Sequence, residues 1–159
     1  MLQKPTSFLV SNLIFMLGTA VAGLAFSFPA QALDFRSVVP SKAITYDAPS
    51  KEAVKLYILS SGYPVEVIVN LGDWIKVRDN QGGLSWLESK ALSPKRTVLV
   101  LAKTEIKVSE DALSALVATV EKDVVLELLA GGANNNWVKV KHRDGVTGFV
   151  QADKLWGSN

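Results

Sequence analysis

The sequence predicts an all-β protein in which an N-terminal signal peptide precedes two small β-barrels in tandem. Three observations support this prediction. One sequence unit occurs twice, apolar and polar residues alternate within short segments, and Asn, Asp and Gly separate these segments. We assign residues 1–32 to the signal peptide, residues 33–95 to the first barrel and residues 96–159 to the second.

The composition is that of a globular protein and excludes several kinds of chemistry. Hydrophobic residues make up 48% of the chain and charged residues 20%, which is typical of a folded domain. Lys4 is the only charged residue among the first 32, so 16 basic and 15 acidic residues remain. The sequence contains no basic stripe, so it does not predict a nucleic-acid partner. The absence of cysteine excludes disulfides, thiol catalysis and cysteine-ligated metals.

The N-terminal segment has the features of an export signal. Lys4 precedes a long apolar run at residues 8–28, and Ala30-Gln31-Ala32 is a small-x-small ending of the kind that signal peptidase recognises. The alternative is an uncleaved anchor, because about 20 apolar residues can span a bilayer. In both cases the rest of the chain lies outside the cytoplasm. We expect a periplasmic or secreted protein with no membrane contact after cleavage.

The remaining chain contains one unit written twice. Residues 74–78 (WIKVR) align with residues 137–141 (WVKVK), 63 positions later. The same spacing pairs Gly82 with Gly145, Trp86 with Phe149, Leu87 with Val150, Glu88 with Gln151, and Leu92 with Leu155. With a short insertion near Gly131-Gly132, residues 65–67 match 126–128, and residues 36–38 match 96–98. The short join at Pro94-Lys95 predicts that the two units touch.

Within each unit the hydrophobic period is two. Ile75 and Val77 share one face of their segment, and Trp74 and Lys76 share the other. This alternation indicates a half-buried strand with one wet face. The turn-like segments at residues 70–73, 79–83, 131–136 and 143–145 contain the Asn, Asp and Gly that tight hairpins favour.

One stretch also fits a helix. Apolar residues between Leu113 and Val120 stand at helical spacing after the acidic pair Glu110-Asp111. We interpret this stretch, and the corresponding residues 52–57, as a long loop that runs into a strand.

The order of these motifs resembles the bacterial SH3-like (SH3b) domain, a small five-stranded barrel found in many exported proteins. Residues 72–77 (GDWIKV) and 136–140 (NWVKV) look like its third strand, and residues 83–87 (GLSWL) and 145–150 (GVTGFV) like its fourth. Leu92 and Leu155 match its closing apolar residue. The family's Asn-x-Arg-x-x-Pro pattern keeps only its proline, Pro49, in the first unit and no landmark in the second.

The chemistry-bearing residues do not predict an enzyme. His142 is the single histidine, and no Ser stands in a nucleophile elbow. No set of His, Cys or acidic residues has the clustering that a metal site requires. We therefore expect no catalytic residue, no metal and no cofactor.

Aromatic and basic residues on the wet face predict a binding site instead. Trp74 and Trp137 occupy the position that, by the SH3b resemblance, lines a groove beneath the long loop. The alternative is that this loop folds over each Trp and buries it in a small satellite core. The candidate ligand-binding residues are Trp74, Lys76, Tyr57, Tyr63, Trp86 and Trp137. We expect Trp156 to pack at the junction of the units or to close a barrel, and not to contact a ligand.

The resemblance and the predicted export together imply a non-enzymatic binding module. The expected ligand is cell-wall peptidoglycan or its peptides, held in an SH3b-type groove of the first unit. The alternative is a protein–protein adaptor or scaffold in the cell envelope. We expect a monomer.

Overall fold

The computed structural model describes Met1, residues 33–131 and residues 136–158. Apart from Met1, the predicted signal peptide lies outside the described residues, as do residues 132–135 of one predicted turn. The chain from Leu33 onward falls within one compact unit. Among the described residues, no helix is long and apolar enough to cross a membrane.

The described residues form two antiparallel sheets of seven strands each. The first sheet contains β1 (Phe35–Val38), β2 (Lys42–Tyr46), β3 (Lys55–Ser60), β4 (Pro64–Asn70), β5 (Trp74–Arg78), β6 (Leu84–Glu88) and β7 (Leu92–Ser93). The second contains β8 (Thr97–Val100), β9 (Thr104–Lys107), β10 (Leu116–Val120), β11 (Val125–Gly131), β12 (Trp137–Lys141), β13 (Thr147–Gln151) and β14 (Leu155–Trp156). The strand order is β3-β2-β6-β5-β4-β1-β7 in the first sheet and β10-β9-β13-β12-β11-β8-β14 in the second. The predicted pair of small all-β barrels is confirmed.

The duplication extends to irregular details. The β4–β5 register shifts between Val67 and Val69, and the β11–β12 register shifts between Leu128 and Ala130. A 3-10 turn, Ser89–Ala91 in one barrel and Ala152–Lys154 in the other, leads into the last short strand. Bulges at matching positions indicate that both barrels bend in the same way.

The alignment between the first strands of the two barrels differs from the prediction. Phe35 in β1 pairs with Glu66, and Thr97 in β8 pairs with Glu127, which is the equivalent residue of the second barrel. The predicted match of residues 36–38 with 96–98 is therefore wrong by two residues. A shift of two keeps each side chain on the same face of the strand, so the alternation did not reveal the error.

The alternating residues face two hydrophobic cores as predicted. Ile75 is 0% exposed and Val77 is 1% exposed, and Val138 and Val140 are buried in the second barrel. Burying each of these side chains stabilises the fold by about 1.5–3 kcal/mol. Trp74, on the opposite face of β5, is half-buried.

Turns and loops also follow the prediction. Gly82 (φ 85°) and Gly145 (φ 90°) take the left-handed conformation in the two matching hairpins, where a residue with a side chain would be strained. Residues 109–115 form an irregular loop that leads into β10, and residues 47–54 form the corresponding loop before β3.

The two barrels contact each other at a packed junction. The Thr97 hydroxyl donates a 2.7 Å hydrogen bond to the Gly62 carbonyl. The Trp156 ring packs edge-on against Phe35, with ring centroids 5.1 Å apart. The predicted contact between the units and the junction position of Trp156 are confirmed.

Candidate functional site

The outer face of the first barrel brings three aromatic rings and a lysine together. Lys76 in β5 pairs with Trp86 in β6, and Trp86 pairs with Tyr46 in β2. Trp74 lies two residues before Lys76 on the same face of β5. We call Tyr46, Trp74, Lys76 and Trp86 the aromatic platform. Three of its members were predicted from the sequence, and Tyr46 was not.

The platform has a defined internal geometry. The Tyr46 and Trp74 rings meet edge to face, with centroids 5.3 Å apart and an interplanar angle of 89°. The Lys76 ammonium lies 5.9 Å from the centre of the Trp86 ring, which is within the range of a cation–π interaction. Tyr46 is buried, whereas Trp74 and Trp86 are half-buried. The platform therefore has a fixed base and a surface open to solvent.

The long loop is tied beside the platform without closing over it. Glu88 is the register partner of Trp74. Its carboxylate forms a 2.9 Å ion pair with Lys90 and a 3.4 Å ion pair with Lys51 of the loop. The hydrogen bond from Lys90 is the main cause that lowers the pKa of Glu88, and Lys51 adds to it. Trp74 is thus neither fully open nor covered as a satellite core.

An apolar cleft of about 390 Å³ adjoins the platform through Tyr46. Val39, Pro40 and Ile44 are among its apolar lining residues, and Lys42 and Lys90 also line it. This cleft was not predicted from the sequence. The sequence did contain a signal for it. Ile44 is two residues before Tyr46 in β2, so both side chains are expected on the same side of the strand.

Tyr57 and Tyr63 lie away from the platform, at the β5–β6 hairpin turn. The Tyr57 hydroxyl donates to the Asp79 carboxylate at 3.0 Å, and the Tyr63 hydroxyl bonds to the Asn80 side chain. Trp74 begins β5, whereas these partners follow its last residue. Burial is the main cause that raises the pKa of each tyrosine. The structure does not bring these two candidates together with Trp74.

The second barrel has a different surface at the equivalent place. Trp137, Lys139 and Phe149 repeat Trp74, Lys76 and Trp86, and the Lys139 ammonium lies 5.9 Å from the Phe149 ring. Lys107 pairs with Phe149 and so stands where the first barrel has Tyr46. A smaller cleft of about 270 Å³ beside Trp137 is lined mainly by polar residues.

The described residues contain no group of three or more His, Cys, Asp or Glu side chains placed to hold a metal ion. His142 lies in the β12–β13 hairpin of the second barrel, where its Nδ1 is 3.2 Å from the Asp144 carboxylate. It is therefore separate from the aromatic platform.

Comparison with curated proteins gives no match. Several solved structures are similar over part of their length. NlpC1 from Trichomonas vaginalis is 15% identical with a TM-score of 0.37, over 81% of this chain and 47% of that one. An NlpC/P60 family protein from Bacillus cereus ATCC 10987 is 14% identical with a TM-score of 0.35, over 77% and 55% of the two chains. This chain thus spans about half the length of each of them.

The family comparison agrees with the duplicated architecture. The model of the bacterial SH3 domain matches residues 39–94 and again residues 110–157. Each match covers most of one seven-stranded sheet, and together they cover more than half of the chain. The protein therefore belongs to the bacterial SH3 domain family, with two such domains in tandem.

Proposed function

We propose that the first barrel binds cell-wall peptidoglycan, or peptides derived from it, on the aromatic platform and in the adjoining cleft. The observation on which this depends is the Tyr46–Trp74 pair: the Trp74 ring is partly exposed, and the buried Tyr46 beneath it also lines an apolar cleft with lysines among its lining residues. The first barrel has this combination, and the second has Lys107 in place of the tyrosine.

The aromatic rings suit the sugar and side-chain surfaces of such a ligand. A ring face packs against the C–H groups of a sugar or against a small apolar side chain, and the indole N–H supplies a hydrogen-bond donor. The Trp74 ring packs against Tyr46, and the Trp86 ring interacts with the Lys76 ammonium. Rings that are already ordered lose little conformational entropy when a ligand binds.

The surrounding charges suit the carboxylates of the peptide part. Lys76 lies on the platform, and Lys42 and Lys90 line the cleft. An ammonium group forms charge-assisted hydrogen bonds with a carboxylate, and these are about twice as strong as neutral ones. Glu88 already engages Lys90, so Lys76 and Lys42 are the better placed donors for a ligand.

The proposal includes no catalytic step. The chain has no cysteine and one histidine, and that histidine is in the second barrel. Among the residues that the structure describes, the aromatic platform consists of three aromatic side chains and a lysine. Export completes the proposal, because the charged, apolar and small-residue regions of residues 1–32 have the order of a signal peptide. The module would then act in the periplasm or outside the cell.

Retention on purified sacculi tests this proposal. The exported chain, residues 33–159, contains every described strand and is the form to use. We expect it to sediment with sacculi, Trp74→Ala to remain largely in the supernatant, and Trp137→Ala to behave as wild type. Trp74→Phe, which keeps a ring, should restore much of the retention. Equal sedimentation of wild type and Trp74→Ala, or no sedimentation of either, would contradict the proposal.

The adaptor alternative is favoured by one observation. Within the described residues β3 pairs only with β2, which leaves a free edge with Leu56 and Ile58 exposed. A free edge can accept an extended segment of a partner protein as an additional strand. A photo-reactive residue at position 56 should then cross-link a single envelope protein in cells. That result, with no sedimentation on sacculi, would favour the adaptor.

A further inference from the structure

A cleft of about 630 Å³ lies between the two barrels, apart from the aromatic platform. The first barrel and the join contribute Ser61, Gly62 and Lys95 to it. The second barrel contributes residues 123–125 and 141–143, together with Glu127. This volume is within the range of small-ligand sites.

The walls of this cleft are fixed by contacts between the barrels. The hydrogen bond from Thr97 to the Gly62 carbonyl joins the two sides. Gly62 also packs closely on Val125, since a Cβ at position 62 would lie 3.4 Å from that side chain. The Lys95 ammonium, from the join, forms a 3.0 Å ion pair with Glu127 of the second barrel. The cleft therefore has a preorganised shape.

Besides the Lys95–Glu127 ion pair, the cleft contains two residues of opposite charge that have no ion-pair partner among the described residues. Asp123 and Lys141 both line it, and neither forms an ion pair within the part of the chain that the structure describes. Both side chains are exposed. The two side chains do not pair with each other, so each can form a charge-assisted hydrogen bond with a separate group of a ligand.

Asp123 is also an unusual residue for its backbone conformation. Its φ is 65°, and Gly62, at the matching position of the first barrel, has a φ of 80°. This left-handed region favours glycine, although aspartate tolerates it better than most residues. At this equivalent position the second barrel therefore has a carboxylate, whereas the first barrel has glycine, which adopts positive φ without strain. The field of this carboxylate extends to the first barrel, since Asp123 adds to burial in raising the pKa of Tyr63.

We infer that the cleft between the barrels binds a short zwitterionic peptide, with the ligand's ammonium at Asp123 and its carboxylate at Lys141. Arg143, which also lines the cleft, supplies a second cation, because its one ion pair with another described residue is a long one, 3.7 Å to Asp144. This inference does not depend on the aromatic platform, because none of the platform residues lines the cleft.

Titration with trialanine tests the inference, with N-acetyl-trialanine amide as the blocked probe. We expect trialanine to shift the amide resonances of Gly62 and Val125, and the blocked peptide to have no effect. Asp123→Gly and Lys141→Gln should each weaken trialanine binding by about tenfold or more, since each removes a charged hydrogen-bond partner. Lys139→Gln, on the same strand outside the cleft, is the matched control and should bind as wild type.

Asp123→Gly separates binding from folding, because glycine relieves the left-handed conformation. Its thermal midpoint should equal or exceed that of wild type while its trialanine binding is weakened. Trp74→Ala should leave trialanine binding unchanged, so failure of the platform proposal would not affect this result. Absence of any trialanine shift, equal binding of the blocked peptide, or unchanged affinity in both cleft variants would overturn the inference.

Discussion

The ring of Tyr46 supports the ring of Trp74 edge to face, with 5.3 Å between their centroids. Tyr46 ends β2 and Trp74 begins β5, so strands distant in sequence fix this pair. The second barrel repeats the tryptophan but has Lys107 at the tyrosine position. At this position the first barrel therefore has an aromatic ring and the second has an ammonium group.

Replacing Tyr46 with lysine should give the first barrel the surface of the second. We expect loss of the ring pair to lower the free energy of unfolding by roughly 0.5–1.5 kcal/mol, in addition to the loss of buried ring area. The Trp74 side chain should become more exposed, so the fluorescence emission should shift to longer wavelength. Urea unfolding and emission spectra measure both effects. Tyr46→Phe, which keeps the ring, should resemble wild type, and a Tyr46→Lys protein with wild-type emission would contradict this account.

The ion pairs of Glu88 predict an acid-sensitive tether of the long loop. Lys90 lowers the pKa of Glu88 below its ordinary value of 4.5. A carboxyl with a lowered pKa in the folded state contributes stability above its unfolded pKa, and this contribution is lost as the pH falls through the folded value. A side-chain carboxyl NMR titration should show the Glu88 pKa rising toward 4.5 in Lys90→Met. Lys103→Met, which removes a distant pair with Glu121, should not change it.

Gly148 should tolerate no side chain, although Ser85 occupies the matching position of the first barrel. A Cβ at position 148 would lie 2.5 Å from the Ile106 side chain and 2.5 Å from the Lys107 carbonyl oxygen. Overpacking of this kind costs about 1–3 kcal/mol, so Gly148→Ala should lower the urea midpoint. Ser85→Ala, which removes only a contact with the Tyr57 hydroxyl, should cost about 1 kcal/mol or less. A larger effect of Ser85→Ala than of Gly148→Ala would be inconsistent with this packing.

Trp156 should couple the unfolding of the two barrels. Its ring contacts Phe35 edge-on at 5.1 Å and Tyr63 at 6.4 Å. Trp156→Ala removes both contacts and should destabilise the protein by about 2 kcal/mol or more. Calorimetry should then resolve two transitions in place of one. Leu84→Ala, at an exposed position, is the control, and a single unshifted transition in Trp156→Ala would show that the junction does not couple the barrels.

The parts of the fold that depend on local pattern were predictable from the sequence. Alternation placed Ile75 and Val77 inward because side chains of a strand point to opposite faces in turn. The hairpin glycines were predictable because few other residues adopt positive φ. Duplication gave the tandem architecture without knowledge of any long-range contact.

The rest depends on which strands become neighbours. Tyr46 joins the platform because β2 pairs with β6, and no local pattern specifies that pairing. Tyr57 and Tyr63 flank the long loop in sequence, yet their hydroxyls bond to the β5–β6 hairpin turn. The wrong match of residues 36–38 has a similar origin, since a four-residue strand contains too few distinctive residues to fix its register.

The indole N–H resonances of the four tryptophans test the central claim most directly, because each tryptophan reports a different place. Titration of residues 33–159 with soluble peptidoglycan fragments should shift Trp74 and Trp86 on the platform. Trp137 in the second barrel and Trp156 at the junction should not shift. A response confined to Trp137 or Trp156, or no response from any tryptophan, would contradict binding at the platform of the first barrel.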